Sequence, residues 1–510
     1  MYPGISRREA LRLGSAVGLG VTAGIGAWPA SSFARTVSPA GGWASSLLPR
    51  QELQALLEDL LAKYGLPGAV VGISGEDGVT TAAAGTGNLN TDAAMTPDTG
   101  FLTGSITKVW TATLVMTLVD DGLIDLDAPL LEYLPHLRLG DPDAARLLTP
   151  KHLLNHSSGI DAGDYLLELG EGPDAHQRYV EALASVGQVH APGAYASYCN
   201  GGFILAGHLA EWVTGDSWGV LLHDRVIEPM GLRRTVTDTD AAILHRTAVG
   251  NVPDPESPGG HMATSKFLLP KSAAPAGSTL ITTVEDNLAF ARMHMRVGTT
   301  DNGKRVLTQQ SARAMVTRTI DRPTGPEGGF GLGWSHFGEG ETVVIRHGGG
   351  SNGGVAQLIA IPAARVGFCA FCNSSNGLGF LSELEREVLA DVAIVPETPA
   401  LSSGEPRAVD VDWGRFLGTF RRKTSIVNIA IQNGRLMLEN RSVDEEREGT
   451  AAYSIGQPTS FEVFPVSNNK LVTAKPVVMG SRPTLTFLEP DASGSYLLLY
   501  FLGRLARRVA

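Results

Sequence analysis

The sequence predicts an α/β protein: an antiparallel sheet flanked by helices, with a helical subdomain, followed by a small all-β barrel. Three observations carry this. Strand-patterned stretches lie at both ends of the region from about Gln51 to Val392, with helical stretches between them, so one sheet is assembled from both ends. A Pro/Ser/Glu-rich stretch, Val395 to Pro406, then interrupts the pattern. Beyond it lie only short alternating segments with turn punctuation. At 510 residues the chain exceeds one ordinary core. We read residues 1–34 as a leader, 35–395 as the larger domain, 396–408 as a linker and 409–510 as the barrel.

In order, Ser6-Arg7-Arg8-Glu9-Ala10-Leu11 resembles a twin-arginine export signal. A Gly/Ala/Val run and small residues at Ser32-Phe33-Ala34 follow, suiting cleavage. The run is short and glycine-rich for a membrane span, so no stable span is expected in the mature chain and a periplasmic or extracellular location is. A helix is expected from Gln51 to Lys63, then a hairpin from Ala69–Ile73 and Val79–Gly85. A long apolar helix follows Ser105, with Gly122 past its end. Another helix runs into the turn at Asn155 to Gly159, and Tyr165 to Arg234 is helix-rich. A helix over Val284–Met295 precedes strands at Gly329–Trp334, Thr342–His347, Gly354–Ile361 and Val366–Cys372, and a last helix covers Leu381–Val392. In the tail, Ile426–Ile431, Asn433-Gly434 and Arg435–Leu438 read as a hairpin, Asn-Gly being the favoured two-residue turn. Phe461–Pro465, Lys470–Lys475, Thr484–Leu488 and Tyr496–Leu502 read as further strands.

The composition, 43% hydrophobic and 18% charged, is that of a folded chain. Net charge is -11 without a basic run, which argues against nucleic acid and anionic membrane surfaces as partners. Cys369-Ala370-Phe371-Cys372 has the spacing of a redox or metal pair. It lies in a strand-like run, where alternation sends the two thiols to opposite faces, and no second ligand pair accompanies it.

The chemistry centres on Ser105-Ile106-Thr107-Lys108. Three residues apart on a helix, Ser105 and Lys108 share a face. The helix N-terminus favours developing negative charge on the hydroxyl, and the amine can take its proton. Ser-x-x-Lys alone is a weak pattern; a second copy, Ser467-Asn468-Asn469-Lys470, lies in a polar turn and reads as chance. Downstream stand Tyr198-Cys199-Asn200 and the glycine-rich Arg346-His347-Gly348-Gly349-Gly350, placed after a strand. His336-Phe337-Gly338 competes with the latter but reads as a turn.

Together with Leu153-Leu154-Asn155-His156-Ser157-Ser158-Gly159, Pro192-Gly193, Pro275-Ala276-Gly277-Ser278 and Gly331-Leu332-Gly333-Trp334, these motifs stand in a recognisable order. The region Gln51 to Val392 resembles the serine β-lactamase-like hydrolases, related to class C β-lactamases and D,D-peptidases. The tail from Trp413-Gly414-Arg415-Phe416 is similar to lipocalin-like modules appended to such hydrolases. The resemblance implies a nucleophilic Ser105, with Lys108 and a phenolate-like Tyr198, its pKa depressed chiefly by Lys108, as general base and acid. It implies that Asn200 orients substrate and lysine, that His347 and Gly349 face the substrate, and that the backbone N–H groups of Ser105 and Gly350 form the oxyanion hole. It implies no metal and no cofactor. His347 stands where β-lactamases usually have lysine; histidine is mostly neutral at pH 7 and a poorer carboxylate anchor.

That departure favours an ester or amide substrate, including D-amino-acid peptides, over β-lactams. D,D-peptidase or β-lactamase action, acyl transfer and non-catalytic binding stand as alternatives, and oligomeric state is left open. His156 reads as a structural hydrogen-bonding position. Trp110, Asp164, Tyr195 and Ser197 are candidates to line the pocket.

Overall fold

The computed structural model describes residues 48–509 except 77, 258, 391, 393–406, 444–458 and 477–481. The expected leader and linker residues 396–406 lie outside the described residues. Helix α1 (Arg50–Tyr64) buries Leu53, Leu57, Leu60 and Leu61, one stripe of a 3.6-residue repeat, and ends on left-handed Gly65. It covers a nine-stranded antiparallel sheet. The strands are β1 (Gly68–Gly75), β2 (Gly78–Asn88), β3 (Ala93–Ala94), β4 (Ile320–Arg322), β5 (Gly325–Phe330), β6 (Ser335–Phe337), β7 (Val344–Ser351), β8 (Gly354–Ile361) and β9 (Val366–Cys372), in the spatial order 3-2-1-9-8-7-6-5-4. Ala69 of β1 pairs with Cys372 of β9, so the expected assembly from both ends is what forms.

Each sheet face has its own core. Val70, Cys369 and Phe371 pack on helices α2 (Thr107–Asp120) and α4 (Val284–Met295); Ala69, Val71, Phe368 and Cys372 pack on α1 and on α5 (Leu378–Val388). The two thiols therefore point to opposite faces, as alternation requires. Helix α2 is buried all round from Thr107 to Leu118, which suits its apolar composition on every side. Helix α3 (Asn200–Thr214), the main element of the helical subdomain, lies against it. Arg346 of β7 meets Glu385 of α5 in a two-pronged buried pair, 2.9 Å on each arm, which pins the strand one residue before His347.

Several expected boundaries shift. Residues 331–334 form a bend rather than a strand, because Gly333 turns at φ +84°. The His347-Gly348-Gly349-Gly350 stretch lies within β7, not after a strand, and Thr342 belongs to a preceding 3-10 turn. Ser335–Phe337 is the strand β6, paired to β7, where a turn was expected. Helix α5 begins three residues early, at Leu378.

The C-terminal strands β10 (Gly418–Arg422), β11 (Ser425–Gln432), β12 (Arg435–Ser442), β13 (Thr459–Ser467), β14 (Lys470–Thr473), β15 (Thr484–Pro490), β16 (Tyr496–Phe501) and β17 (Arg504–Arg508) close into a barrel. Asn433 and Gly434 both have positive φ, the I′ geometry that Asn-Gly supplies. The interior is filled: rings of Phe416, Phe420, Phe487 and Tyr496 meet at 5.0–5.8 Å. The second Ser-x-x-Lys copy is the β13–β14 turn, where Lys470 Nζ donates to the Thr324 carbonyl (2.8 Å). The strand expected from Tyr496 to Leu502 forms as β16; the chain then turns at Leu502 and Gly503, both at positive φ, and returns as β17, a strand that was not expected. This hairpin packs Leu498, Tyr500 and Leu505 against Val189 of the larger domain. No helix among the described residues is long and apolar enough to cross a membrane.

Candidate active site

Ser105 sits in a 3-10 turn (Gly104–Ile106) between the short strand Phe101–Leu102 and α2. Two glycines allow β7 to press against this turn. A Cβ on Gly104, which has φ +57°, would come within 2.5 Å of the Gly350 carbonyl oxygen; one on Gly349 would come within 2.0 Å of that of Thr103. Ser105 and Gly350 are thereby neighbours.

Lys108 is fully buried at the first turn of α2. Its Nζ is 3.0 Å from Ser105 Oγ and 2.5 Å from the Ala276 carbonyl, to which it donates. Burial, and then the Arg504 cation, hold the amine well below the ordinary lysine pKa. That shift favours the neutral amine, the form whose lone pair can serve the serine. Nζ also lies 5.0 Å from the centroid of the Tyr198 ring.

Tyr198 is only 2% exposed. Burial raises its phenol well above the usual value, and the opposing pull of the Ser105 hydroxyl and the Arg504 cation is smaller. The expected depression by Lys108 is thus not what the structure gives: desolvation decides, and the cation that opposes it is Arg504. The hydroxyl is buried without a fully formed hydrogen bond. Asn200 opens α3 two residues on, nearly buried. His347 lies on β7 with its ring 6.1 Å from that of Tyr198. Its Nδ1 donates to the Gly348 carbonyl (2.7 Å), so Nε2 carries the lone pair. Burial, then Lys108, lower its pKa to about 3, so the ring is neutral.

Of the candidate lining residues, Trp110 belongs to the core, stacked on Phe290 at 3.8 Å. Tyr195 packs on the barrel hairpin, and Ser197 Oγ accepts from Leu505 N–H (3.0 Å). Asp164 pairs with Arg504 at 2.7 Å. Arg504 is the residue that sequence reasoning missed. It comes from β17, is 3% exposed, and holds its guanidinium carbon 5.1 Å from the Tyr198 ring centroid. The legible signal was Leu502-Gly503, a candidate turn that would have pointed to a further strand after it.

Asp161, Asp164, Arg422 and Arg504 line a narrow crevice between the two domains, next to Tyr198. Asp161 accepts the Lys423 backbone N–H (2.7 Å). Burial raises its carboxyl from 3.8 to about 7, partly offset by that N–H and by Arg422. The folded chain therefore binds this proton more tightly than the unfolded one. Its stabilisation is fully present below about pH 3.8 and is lost as pH rises through about 7. Asp161→Asn should flatten the fall of thermal midpoint between pH 4 and 7 relative to the parent; identical slopes would remove Asp161 from the account.

Fold and site together define the class: a serine hydrolase. The chain belongs to the Beta-lactamase family, whose model matches residues 53–392. It is 35% identical over 379 residues to "Penicillin-binding protein 4" of Amycolatopsis lactamdurans, covering 72% of this chain and 97% of that one. It is 29% identical over 199 residues to a D-aminopeptidase of Brucella anthropi, covering 38% and 37%. Among solved structures, SurE shares the fold over 90% of this chain and 99% of its own, with TM-score 0.71 and 23% identity. The D-amino acid amidase of Ochrobactrum anthropi matches 67% of this chain and 97% of its own, with TM-score 0.56 and 23% identity.

Proposed function

We infer that this chain cleaves amide or ester bonds of D-amino-acid peptides through an acyl-enzyme on Ser105. The observation that carries this is the desolvated Lys108 amine 3.0 Å from the serine hydroxyl. Lys108 takes the Oγ proton as Oγ bonds to the carbonyl carbon. The oxyanion meets the backbone N–H groups of Ser105 and Gly350. Tyr198, protonated rather than phenolate-like, gives its proton to the leaving amine or alkoxide as that bond breaks, and recovers one from Lys108. Water then repeats the sequence and releases the acid. Asn200, His347 and Gly349 border the bound substrate. Export through the twin-arginine-like leader, residues 1–34, belongs to this reading and would place the enzyme outside the cytoplasm.

Arg504 refines the substrate class. His347, neutral, is a poor partner for a carboxylate, but a permanent cation stands beside Tyr198 with a buried Nε–H that has no hydrogen-bond partner. A substrate with a free carboxylate suits it. The same cation, with the likeness to a penicillin-binding protein, favours β-lactam acylation as a second reading.

The test is a fluorophosphonate probe with peptide mapping, followed by D-amino-acid amides, esters and penicillin side by side. An adduct at Ser105, absent in Ser105→Ala, is expected. Folded protein that stays unlabelled would overturn the reading. Penicilloyl adducts without turnover would move the second reading to the front.

A further inference from the structure

His156 follows the short helix Pro150–Leu154 and stands at φ +61°, a left-handed conformation that costs a non-glycine residue energy. Its surroundings show what that conformation achieves. The His156 carbonyl accepts the Ser197 N–H (2.8 Å), and its ring Nδ1 accepts the Cys199 N–H (3.1 Å). Between these two, its ring lies on the ring of Tyr198, with centroids 4.3 Å apart and planes 31° apart. Phe203 and Phe330 complete the cage at 5.0 and 4.9 Å. The remaining N–H of the segment, that of Tyr198, is accepted by the Gly503 carbonyl of the barrel (3.0 Å). Three consecutive amides are thus held, two of them by one histidine.

We propose that His156 is a positioning residue for the Tyr198 phenol, fixing the backbone on both sides of the tyrosine and the plane of its ring. This rests on the acyl-enzyme reading above. With Nδ1 accepting, the imidazole proton is on Nε2, so the ring is a neutral clamp rather than a base for Ser105. Its effect is felt where the phenol does its work, at the leaving group. In acylation an amide, whose leaving amine must be protonated, depends on the phenol's aim, whereas a p-nitrophenyl ester, whose leaving group departs as an anion, depends on it little; deacylation, which expels Ser105 Oγ, is common to both.

Two variants separate the parts of the clamp. In His156→Asn the residue tolerates left-handed φ and its carbonyl oxygen can take the Cys199 N–H, but the ring is gone. In His156→Phe a ring remains against Tyr198, but the Cys199 N–H is orphaned. Each should retain cooperative unfolding and lose about 10- to 100-fold in kcat for a D-amino-acid amide, with KM near the parent's and the p-nitrophenolate burst that reports ester acylation within about threefold in rate, the pattern expected of Tyr198→Phe. Equal losses on amide and ester, or no loss in either variant, would reduce His156 to a loop residue and overturn the proposal. Should one variant fail to fold, the amide-to-ester ratio of the other decides. Parent protein unlabelled at Ser105 would overturn the acyl-enzyme reading itself, a distinguishable result.

Discussion

Lys108→Met should abolish most turnover, lowering kcat by about 10²- to 10⁴-fold, while leaving the fold as stable as the parent or more so. The two halves of this result have one cause. Lys108 is fully buried, with Ser105 Oγ and the Ala276 carbonyl as its hydrogen-bond partners and, among the described residues, no carboxylate paired with it. A buried amine without a counter-ion costs stability, and methionine fills nearly the same space without that cost. Lys108→Arg should be equally inactive, because a guanidinium stays charged and cannot accept the serine proton. Steady-state kinetics and thermal melts on the same preparations test both. Activity that survives in Lys108→Met would transfer the role of base elsewhere, whereas inactivity with collapse of the melt would make Lys108 structural.

Arg504→Ala should raise KM for peptides ending in a free carboxylate by about 10- to 100-fold, the span of a charge-assisted hydrogen bond worth about 1.5–3 kcal/mol. Substrates with amidated ends should change little. The expectation follows from the cation's place, 5.1 Å from the Tyr198 ring centroid, and from the neutrality of His347. Part of any general loss will come from Asp164, which the variant leaves without its 2.7 Å partner. Arg504→Ala/Asp164→Asn removes that contribution. Equal penalties on free and amidated peptides in the double variant would refute carboxylate recognition.

What the sequence made legible were local rules. Three-residue spacing on a helix put Lys108 beside Ser105; alternation put Cys369 and Cys372 on opposite faces; Asn433-Gly434 made its hairpin. Each depends on a few consecutive residues. What stayed hidden depends on distant ones. Arg504 reaches Tyr198 only after Leu502 adopts a left-handed conformation unusual for leucine, and only because the barrel docks on Ser197 and Val189. The lowered pKa of Lys108 and the raised one of Tyr198 follow from the depth of burial, which no motif encodes. The glycine stretch after His347 hid the continuation of β7, since glycine is a poor strand signal.

The docking of the Leu502-Gly503 turn on Tyr198 also sets a timetable. A chain leaving the ribosome presents Ser105 and Lys108 first, but the carbonyl that accepts the Tyr198 N–H belongs to Gly503, far downstream of both. Contacts so far apart in sequence form late in folding. On the mechanism proposed above, a nascent chain would hold its nucleophile and its base before its acid is in place, and the ability to expel a poor leaving group would arrive only when β17 closes the barrel.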